Sequence, residues 1–318
     1  MNEAYDVVVI GGSAAGLSGS LALGRSRRSV LVIDSDEPRN APASHVHNYL
    51  GRESTPPREL VAIGRTEVAA YGVETLTGRV TDVVRDGDHF TVTVASGGSP
   101  ATVSARRILL ATGSRDELPD VPGVAEQWGR GVVHCPYCHG WEVRDRAIGV
   151  LATSALSAHQ VGMFRQLSER VTLFLNDSFE PSDEQWEQFA ARGVQVVRGR
   201  VVELVSEGGD VSAVRLESGT VVPIEALAVA TRVWARADVL AGLGVETQPV
   251  EMAGTVFGSI VPVDEMGRTA IAGVFAAGNV TDMRSQVISA AAAGLQAGAS
   301  INADLIEEDT RAAVAARV

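Results

Sequence analysis

Both cysteines of the 318-residue chain, Cys135 and Cys138, lie in one short stretch that reads His-Cys-Pro-Tyr-Cys-His-Gly-Trp-Glu. Two thiols on the first turn of a helix can close a disulfide with little backbone movement. A Cys-x-x-Cys pair in a chain that alternates strands and helices is typical of a redox-active dithiol. The neighbouring imidazoles of His134 and His139 would stabilise a thiolate. The stretch therefore predicts sulfur redox chemistry.

Two other interpretations of the cysteine pair are a zinc site and a structural disulfide. Zinc would need His134 and His139 as ligands beside the cysteines, and four ligands so close together cannot readily wrap a tetrahedral ion. We therefore predict no metal. A disulfide across such a small loop would constrain little unfolded-chain entropy. His139 is either a proton acceptor for thiols or a solvated histidine on a helix turn, and His134 is as consistent with packing as with catalysis.

The bulk composition predicts an aliphatic α/β protein of two domains, because 318 residues exceed what one hydrophobic core usually serves. The net charge of −12 disfavours nucleic acid or an anionic membrane as a partner. The chain shows neither a signal-peptide pattern nor an apolar run long enough to cross a bilayer. We therefore expect a cytoplasmic protein in which any disulfide is transient and catalytic.

The N-terminus carries the elements of a dinucleotide-binding fingerprint. An apolar strand at residues 5–10 precedes Gly11-Gly12-Ser13-Ala14-Ala15-Gly16, and a helix then continues to about residue 25. A second strand at residues 30–33 ends at Asp34. N–H groups at the helix start would bind a pyrophosphate, and Asp34 would accept a hydrogen bond from a ribose hydroxyl. The alternative is a plain tight turn.

The remaining pattern predicts a second copy of the same layout. A long loop at residues 35–57, which we expect to lie over a ligand, precedes a helix, a β-meander and a strand that ends at Ala111-Thr112-Gly113. Strand, helix and strand patterns recur from residue 147, and the last strand ends at Ala230-Thr231-Arg232. A repeat of about 120 residues predicts two Rossmann-like nucleotide-binding domains.

The second copy lacks the residues that bind a dinucleotide. Its turn reads Ala-Thr-Ser-Ala-Leu-Ser at residues 152–157, and each added Cβ keeps a pyrophosphate away from the backbone. Asn176, Asp177 and Ser178 follow the next strand, with no arginine pair for a 2′-phosphate. This domain is therefore predicted to be poorly equipped for NADPH. A divergent loop that binds through other contacts is the alternative.

The C-terminal region predicts further strands and a strand at residues 273–277. Gly278-Asn279 and a helix at about residues 285–305 follow this strand. A set of apolar positions at helical spacing predicts the buried face of this helix: Val287, Ile288, Ala291, Leu295 and Ala299.

This order of motifs resembles thioredoxin reductase-like flavoproteins over essentially the whole chain. The resemblance implies FAD bound between residues 1–115 and 243–318, with residues 116–242 forming an inserted NADPH-like domain that carries the Cys-x-x-Cys pair. It also implies a homodimer. The cofactor-binding residues that we predict on this basis are Gly11, Gly12, Ser13, Ala14, Ala15, Gly16, Asp34, Arg39, Asn40, Asn48, Val80, Ala111, Thr112, Gly113, Gly278, Asn279, Gln286 and Val287.

Three departures from thioredoxin reductases indicate a particular subgroup of these flavoproteins. Asn279 replaces an aspartate, although its amide can still hydrogen-bond a ribityl chain. His139 replaces the aspartate that follows the second cysteine, and the nicotinamide glycines are missing. The Cys-x-x-Cys-His-Gly run is similar to that of the flavin-dependent dithiol oxidases of gliotoxin and holomycin.

The resemblance implies an FAD-dependent oxidase that forms a disulfide in a small-molecule dithiol, with oxygen as the electron acceptor. Cys135 would be attacked by the substrate thiolate, Cys138 would pass electrons to FAD, and His139 would exchange thiol protons. The alternatives are an NADPH-dependent thioredoxin reductase, a ferredoxin-fed reductase and a flavin-binding redox sensor without turnover.

Overall fold

The computed structural model describes residues 2–97, 100–252 and 254–317, which divide into two compact units. The first unit comprises Met1–Ala41, Tyr49–Arg115 and Val233–Val318, and the second comprises Pro42–Asn48 and Asp116–Arg232.

The boundaries of the units differ from the predicted domain boundaries in two places. The chain returns to the first unit at Val233 and not at residue 243, because Ala237 and Leu240 are buried in the core of the first unit. The short Pro42–Asn48 segment groups with the second unit, although its neighbours in sequence belong to the first.

The helices and strands follow in chain order. The helices are α1 (Ala14–Arg25), α2 (Pro57–Ala69), α3 (Pro136–His139), α4 (Ser157–Arg165), α5 (Asp183–Ala191) and α6 (Val287–Ala315). The strands are β1 (Ala4–Ile10), β2 (Val30–Asp34), β3 (Glu74–Thr77), β4 (Arg79–Asp86), β5 (His89–Ala95), β6 (Ala101–Leu110), β7 (Ser114–Glu117), β8 (Val132–Val133), β9 (Ile148–Leu151), β10 (Val171–Phe174), β11 (Gln195–Val197), β12 (Val201–Glu207), β13 (Asp210–Leu216), β14 (Val221–Pro223), β15 (Ala226–Val229), β16 (Arg232–Ala235), β17 (Gln248–Met252), β18 (Thr255–Ile260) and β19 (Val274–Ala276).

The first unit is built on a sheet in the order β3-β2-β1-β6-β5-β4, with β19 paired to β6. Strands β1, β2, β3, β6 and β19 pair in parallel, and the apolar runs of β1 and β2 are buried, as expected for parallel strands covered on both faces. The first half of β6 pairs with the antiparallel β4–β5 ribbon and its second half with β19. The predicted strand-turn-helix-strand order at the N-terminus is confirmed.

Helices α1 and α6 pack through small residues. A Cβ on Gly294 would lie 2.0 Å from the Ala15 carbonyl oxygen, and one on Gly298 would lie 2.5 Å from that of Gly19. The predicted buried face of α6 is wrong, since Ile288 and Leu295 are exposed. The buried face consists mostly of small residues: Ala290, Gly294, Ala297, Gly298, Ser300, Ile301 and Leu305. Close helix contact selects small side chains, which a search for large apolar residues misses.

The second unit contains a parallel sheet in the order β11-β10-β9-β15-β8 and an antiparallel sheet in the order β12-β13-β14. The predicted repeat is thus confirmed as a second Rossmann-like sheet, and the fold is the predicted α/β class.

A further sheet has the order β17-β18-β16-β7. Within the described ranges, no helix combines the length and apolar character that a membrane span requires.

Two adjacent arginines of β6 bind carboxylates of α6. Arg106 donates to Glu308 at 2.6 Å and to Asp309 at 2.5 Å. Arg107, whose side chain is buried, donates to Glu308 at 2.6 Å and also to Asp304. Glu308 therefore bridges both arginines and fixes α6 against β6, an interior strand of the sheet.

We expect Glu308→Gln to lower the free energy of unfolding by about 1–2 kcal/mol near pH 7. Burial alone would raise the pKa of the Glu308 carboxyl, but hydrogen bonds from Arg106 and Arg107 outweigh it and hold the pKa below its ordinary value. The stabilisation is therefore present above the unfolded-state pKa of about 4.3 and is lost as the pH falls through the lower folded-state pKa.

Urea denaturation of both proteins between pH 7 and pH 3 measures this difference. Glu307→Gln is the matched control, because Glu307 makes only an exposed 3.8 Å pair with Arg311 among the contacts described. A difference between wild type and Glu308→Gln that stays constant down to pH 3 would contradict the linkage.

Candidate active site

A single helical turn holds the two cysteines. Cys135 is the N-terminal cap of α3, and the N–H groups of Cys138 and His139 both donate to the Cys135 carbonyl oxygen, at 3.2 and 3.1 Å. Pro136 occupies the first helical position, where its fixed φ is favourable and an N–H is not needed. The Cys138 Sγ lies 2.8 Å from the Cys135 Sγ. A disulfide can therefore form and break here with little backbone movement.

Gly140 follows the turn at a position where a side chain would not fit. A Cβ on Gly140 would lie 2.2 Å from the Pro136 carbonyl oxygen and 2.3 Å from the Leu167 Cδ1. Tyr137 and Trp141, on either side of the second cysteine, are 68% and 64% exposed. The glycine of the Cys-x-x-Cys-His-Gly run is thus required by packing, and the aromatic rings beside the cysteines face solvent.

The pKa of the His139 imidazole lies below its ordinary value. Burial lowers its pKa below the ordinary value of 6.5; the carboxylate of Glu142 acts in the opposite direction, and the imidazoles of His47 and His45 lower the pKa further. A neutral imidazole next to two thiols can accept a thiol proton at neutral pH. Of the two interpretations of His139, the structure favours the proton acceptor over a solvated histidine.

The Pro42–Asn48 segment lies along the cysteine turn. The Asn48 Nδ2 donates to the Tyr137 carbonyl oxygen at 2.6 Å, and the His47 Nε2 lies 3.4 Å from the Glu142 Oε1. The rings of His45 and His47 meet edge to face with their centroids 6.2 Å apart. Asn48 was predicted to line the cofactor; its contact here is with the cysteine turn, and the cofactor contact stays a prediction.

His47 and Glu142 are site residues that the sequence analysis did not identify. The long loop was predicted to cover a ligand, but its histidines had no assigned role. Two histidines one residue apart in an otherwise polar loop were the available signal. However, Glu142, the partner of His47, lies about 95 positions further along the chain, and hydrophobic periodicity does not predict contacts between such distant residues.

His134 serves the fold around the turn. Its Nδ1 lies 3.0 Å from the Val229 carbonyl oxygen, to which it donates in the Nδ1–H tautomer; in the other tautomer the same atom accepts from the Thr231 N–H at 3.5 Å. The His134 carbonyl oxygen accepts from the Gln160 Nε2 at 3.0 Å. Of the two interpretations of this residue, these backbone contacts favour packing.

The glycine turn after β1 has the geometry of a diphosphate cradle. Gly11 has φ of +106°, and a Cβ there would lie 2.3 Å from the Ala111 carbonyl oxygen. A Cβ on Gly16 would lie 1.9 Å from the Gly11 carbonyl oxygen. Ser13 caps α1 without using its side chain, and the first turn, which contains Ala14, has no acidic residue. Small residues and unopposed N–H groups at a helix start fit an anionic diphosphate.

A cavity of about 210 Å³ lies beside this turn and is lined by residues of the first unit that include Ser13, Asp34 and Arg65. The Arg65 Nη2 donates to the Asp34 Oδ2 at 2.7 Å and to the Asp36 Oδ1 at 3.1 Å. Arg65 therefore fixes the carboxylate that is predicted to bind a ribose. Arg65 was missed by the sequence analysis, because one arginine on a polar helix gives no signal by itself.

The other predicted cofactor residues follow the ends of neighbouring parallel strands. Ala111, Thr112 and Gly113 follow β6, and Gly278 and Asn279 come shortly after β19. The carboxyl ends of β1, β2, β6 and β19 thus lie along one edge of the sheet, which is the usual position of a nucleotide site.

Asn279 fixes the loop that leads into α6. Its Nδ2 donates to the carbonyl oxygens of Asp282 and Ser285, at 3.2 and 2.9 Å. Gln286 is the N-terminal cap of α6 and Val287 its first residue. The loop therefore sets the position of the helix start that is predicted to lie near the flavin.

Three predicted cofactor residues lie apart from these strand ends in sequence. Arg39 and Asn40 are in the turn that follows β2, and Val80 is on β4, packed against the core of the first unit. Their contact with a cofactor stays a prediction.

In the second unit, the turn after β9 is bonded to its own chain. The Thr153 N–H donates to the Ser157 Oγ at 3.2 Å, and the Thr153 Oγ1 donates to the Ala230 carbonyl oxygen at 3.2 Å. In a dinucleotide-binding turn, N–H groups of this region bind the pyrophosphate. The geometry agrees with the predicted loss of the glycine fingerprint.

A second cavity, of about 340 Å³, lies beyond β10 and is lined in part by Asp177, Glu180 and Arg198. Arg198 donates to both carboxylate oxygens of Glu180, at 2.7 Å each. The Asn176 Oδ1 accepts from the Val201 N–H at 2.9 Å. A 2′-phosphate here would meet two carboxylates and an arginine that is already neutralised.

For the part of the chain that the structure describes, no group of three or more His, Cys, Asp or Glu side chains is arranged to hold a metal ion.

Comparison with known proteins identifies the family. The pyridine nucleotide-disulphide oxidoreductase family matches residues 5–298. The chain is 31% identical to the thioredoxin reductase tcpT of Claviceps purpurea over 95% of each sequence. Among solved structures it is similar to HlmI, with 40% identity, a TM-score of 0.90 and coverage of 99% of this chain and 97% of that one. An oxidoreductase from Agrobacterium tumefaciens has 35% identity, a TM-score of 0.87 and coverage of 95% and 98%.

These matches span nearly the whole chain and confirm the predicted resemblance to thioredoxin reductase-like flavoproteins. Thioredoxin reductase-like members of the family bind FAD, and the glycine turn with its uncharged helix start fits that cofactor. The chain therefore belongs to the pyridine nucleotide-disulphide oxidoreductase family, as a thioredoxin reductase-like enzyme with FAD as its cofactor.

Proposed function

We propose that this enzyme is a dithiol oxidase that closes a disulfide in a small-molecule dithiol, with oxygen as the final electron acceptor. The proposal is supported by a contrast within the second unit. The sulfurs of Cys135 and Cys138 lie 2.8 Å apart, whereas the turn after β9 uses its Thr153 N–H for a hydrogen bond to Ser157. In this proposal electrons enter through the sulfurs, because the second unit lacks the glycine turn and the arginine pair of a typical NADPH site. The Cys-x-x-Cys-His-Gly run and its similarity to the gliotoxin and holomycin oxidases support the same direction, and the family resemblance supports a homodimer.

The first unit supplies the cofactor site in this proposal. The Gly11–Gly16 turn receives the diphosphate, and Asp34, held by Arg65, accepts from the adenosine ribose. Bound FAD supplies a two-electron acceptor that oxygen can reoxidise. The chain contributes binding, orientation and proton transfer.

We expect Arg65→Gln to weaken FAD binding by about tenfold, which corresponds to about 1.4 kcal/mol. The substitution removes the ion pair that holds Asp34 and leaves Asp36 with its 3.3 Å pair to Arg58, so one positive charge is lost beside an anionic diphosphate. Titration of the deflavinated protein with FAD, followed by flavin fluorescence, gives the dissociation constant. Arg79→Gln is the matched control, because Arg79 pairs with Glu37 and does not line the cavity. Equal affinities for the two variants would contradict this assignment.

The chemical steps that we propose use the Cys135–Cys138 pair and the neighbouring His139. His139 takes the proton of one substrate thiol, and the resulting thiolate attacks the Cys135 Sγ of the Cys135–Cys138 disulfide. The S–S bond breaks and its electron pair stays on Cys138 as a thiolate. The second substrate thiol then gives its proton to a second acceptor and attacks the first substrate sulfur. The S–S bond to Cys135 breaks, Cys135 leaves as a thiolate, and the cyclic disulfide product is released.

A thioredoxin reductase is the second candidate function, because the curated relative tcpT carries that name. Anaerobic mixing separates the two functions. We expect a dithiol such as dithiothreitol to bleach the flavin absorbance of the wild type, Cys138→Ser to abolish this bleaching, and NADPH to leave the flavin oxidised. Admission of air should restore the absorbance, with one oxygen consumed per dithiol.

Tyr137→Phe is the matched control for Cys138→Ser, since it lies in the same turn but carries no sulfur and should keep the activity. Rapid bleaching by NADPH would favour the reductase. Bleaching of Cys138→Ser by the dithiol at the wild-type rate would overturn the role of the sulfurs.

The rate of dithiol oxidation should fall on the acid side only below pH 6.5. Burial, and then the neighbouring imidazoles, lower the pKa of His139, so its neutral form persists to a lower pH than that of an ordinary imidazole. Profiles of kcat/KM between pH 5 and 9 measure this acid limb. His139→Gln should lose the limb and about tenfold or more of the rate. An acid limb above pH 6.5, or one unchanged in His139→Gln, would exclude His139 as the acceptor.

A further inference from the structure

His47 and Glu142 form a second acid–base pair at the cysteine turn. The His47 Nε2 lies 3.4 Å from the Glu142 Oε1, and His47 is largely shielded, with a side chain 16% exposed. The next residue, Asn48, is fixed to the Tyr137 carbonyl oxygen at 2.6 Å. Two successive residues of the Pro42–Asn48 segment thus contact residues 142 and 137, on either side of Cys138 and His139.

The proposed oxidation needs two proton acceptors. Oxidation of a dithiol by the enzyme disulfide removes two protons and two electrons from the substrate. If Cys138 keeps its electron pair as a thiolate, the first proton stays on His139. The second thiol must then give its proton to another group before it can attack.

We propose that His47, oriented by Glu142, accepts the proton of the second substrate thiol and so drives the closure of the product disulfide. This inference rests on the proposed function and deepens it. The second thiolate attacks the first substrate sulfur, the S–S bond to Cys135 breaks, and Cys135 leaves as a thiolate. The two protons end on His139 and His47, and the two electrons end on the enzyme sulfurs.

The groups around His47 include one carboxylate that can orient its ring. The carboxylate of Glu142 lies beside His47 in the way that a carboxylate orients the base of a catalytic triad. The other titratable groups in this cluster are His45, whose ring meets that of His47, and His139 with the two cysteines on the turn. Glu142 is a carboxylate that lies against these imidazoles.

The test compares the two chemical steps in His47→Gln. A glutamine amide can still donate toward Glu142, but it cannot take a proton at neutral pH. Oxidised enzyme is mixed anaerobically with a dithiol and quenched with acid at successive times. Mass spectrometry of the quenched protein then gives the amount of mixed disulfide at each time. We expect the mixed disulfide at Cys135 to form within about twofold of the wild-type rate and then to close at least about tenfold more slowly.

Three further measurements make the result specific. Glu142→Gln should slow the closure by a smaller factor, because it keeps the imidazole. Imidazole added to His47→Gly should restore the closure, which a structural defect would not allow. His159→Gln, which changes an exposed histidine of α4, is the matched control and should behave as the wild type.

The outcomes separate this inference from the function on which it rests. A wild type that forms no mixed disulfide and consumes no oxygen with dithiols would overturn the proposed function. With an active wild type, unchanged closure in His47→Gln overturns the role of His47. Equal slowing of both steps also overturns it, because that pattern indicates a displaced turn. Selective accumulation of the mixed disulfide, with rescue by imidazole, supports it.

Discussion

The carbonyl oxygen of Cys135 fixes the backbone of the turn that carries Cys138 and His139. It accepts hydrogen bonds from the N–H groups of both Cys138 and His139, so one acceptor fixes the second sulfur and its neighbouring base. Because Gly140 has no side chain, the turn can close against Leu167. A change at this acceptor would displace sulfur and imidazole together. The two groups therefore act as one unit, and their effects on rate should not be additive.

The two Rossmann-like units show how one layout can keep or lose a nucleotide site. In the first unit, Gly11 and Gly16 stand where any Cβ would collide with the backbone, which leaves the helix start open to an anion. In the second unit, Thr153 and Ser157 bond to each other across the equivalent turn. Both turns connect a buried parallel strand to a helix. The fold therefore does not decide the ligand; the few residues of the turn do.

Local signals predicted much of the fold and part of the site. The β1–turn–α1–β2 order, Asp34 at its end and the cysteine pair could be predicted because each depends on neighbours close in sequence. The partners of His47 and Arg65 could not, since they come from distant parts of the chain. The buried face of α6 was mispredicted for a different reason. Its contact with α1 depends on residues without side chains, such as Gly294. A search for periodic large apolar residues does not identify such positions.

Asn279 illustrates why a departure from a family pattern should be judged by its contacts. The thioredoxin reductases that the motif order resembles have aspartate at this position. In this chain the Asn279 amide donates to the carbonyl oxygens of Asp282 and Ser285. An ionised carboxylate cannot donate and would repel both oxygens. The asparagine is therefore matched to its own loop, while its carbonyl oxygen can still accept a hydrogen bond from a hydroxyl. A return to aspartate would restore the family residue and remove the contacts that position the start of α6.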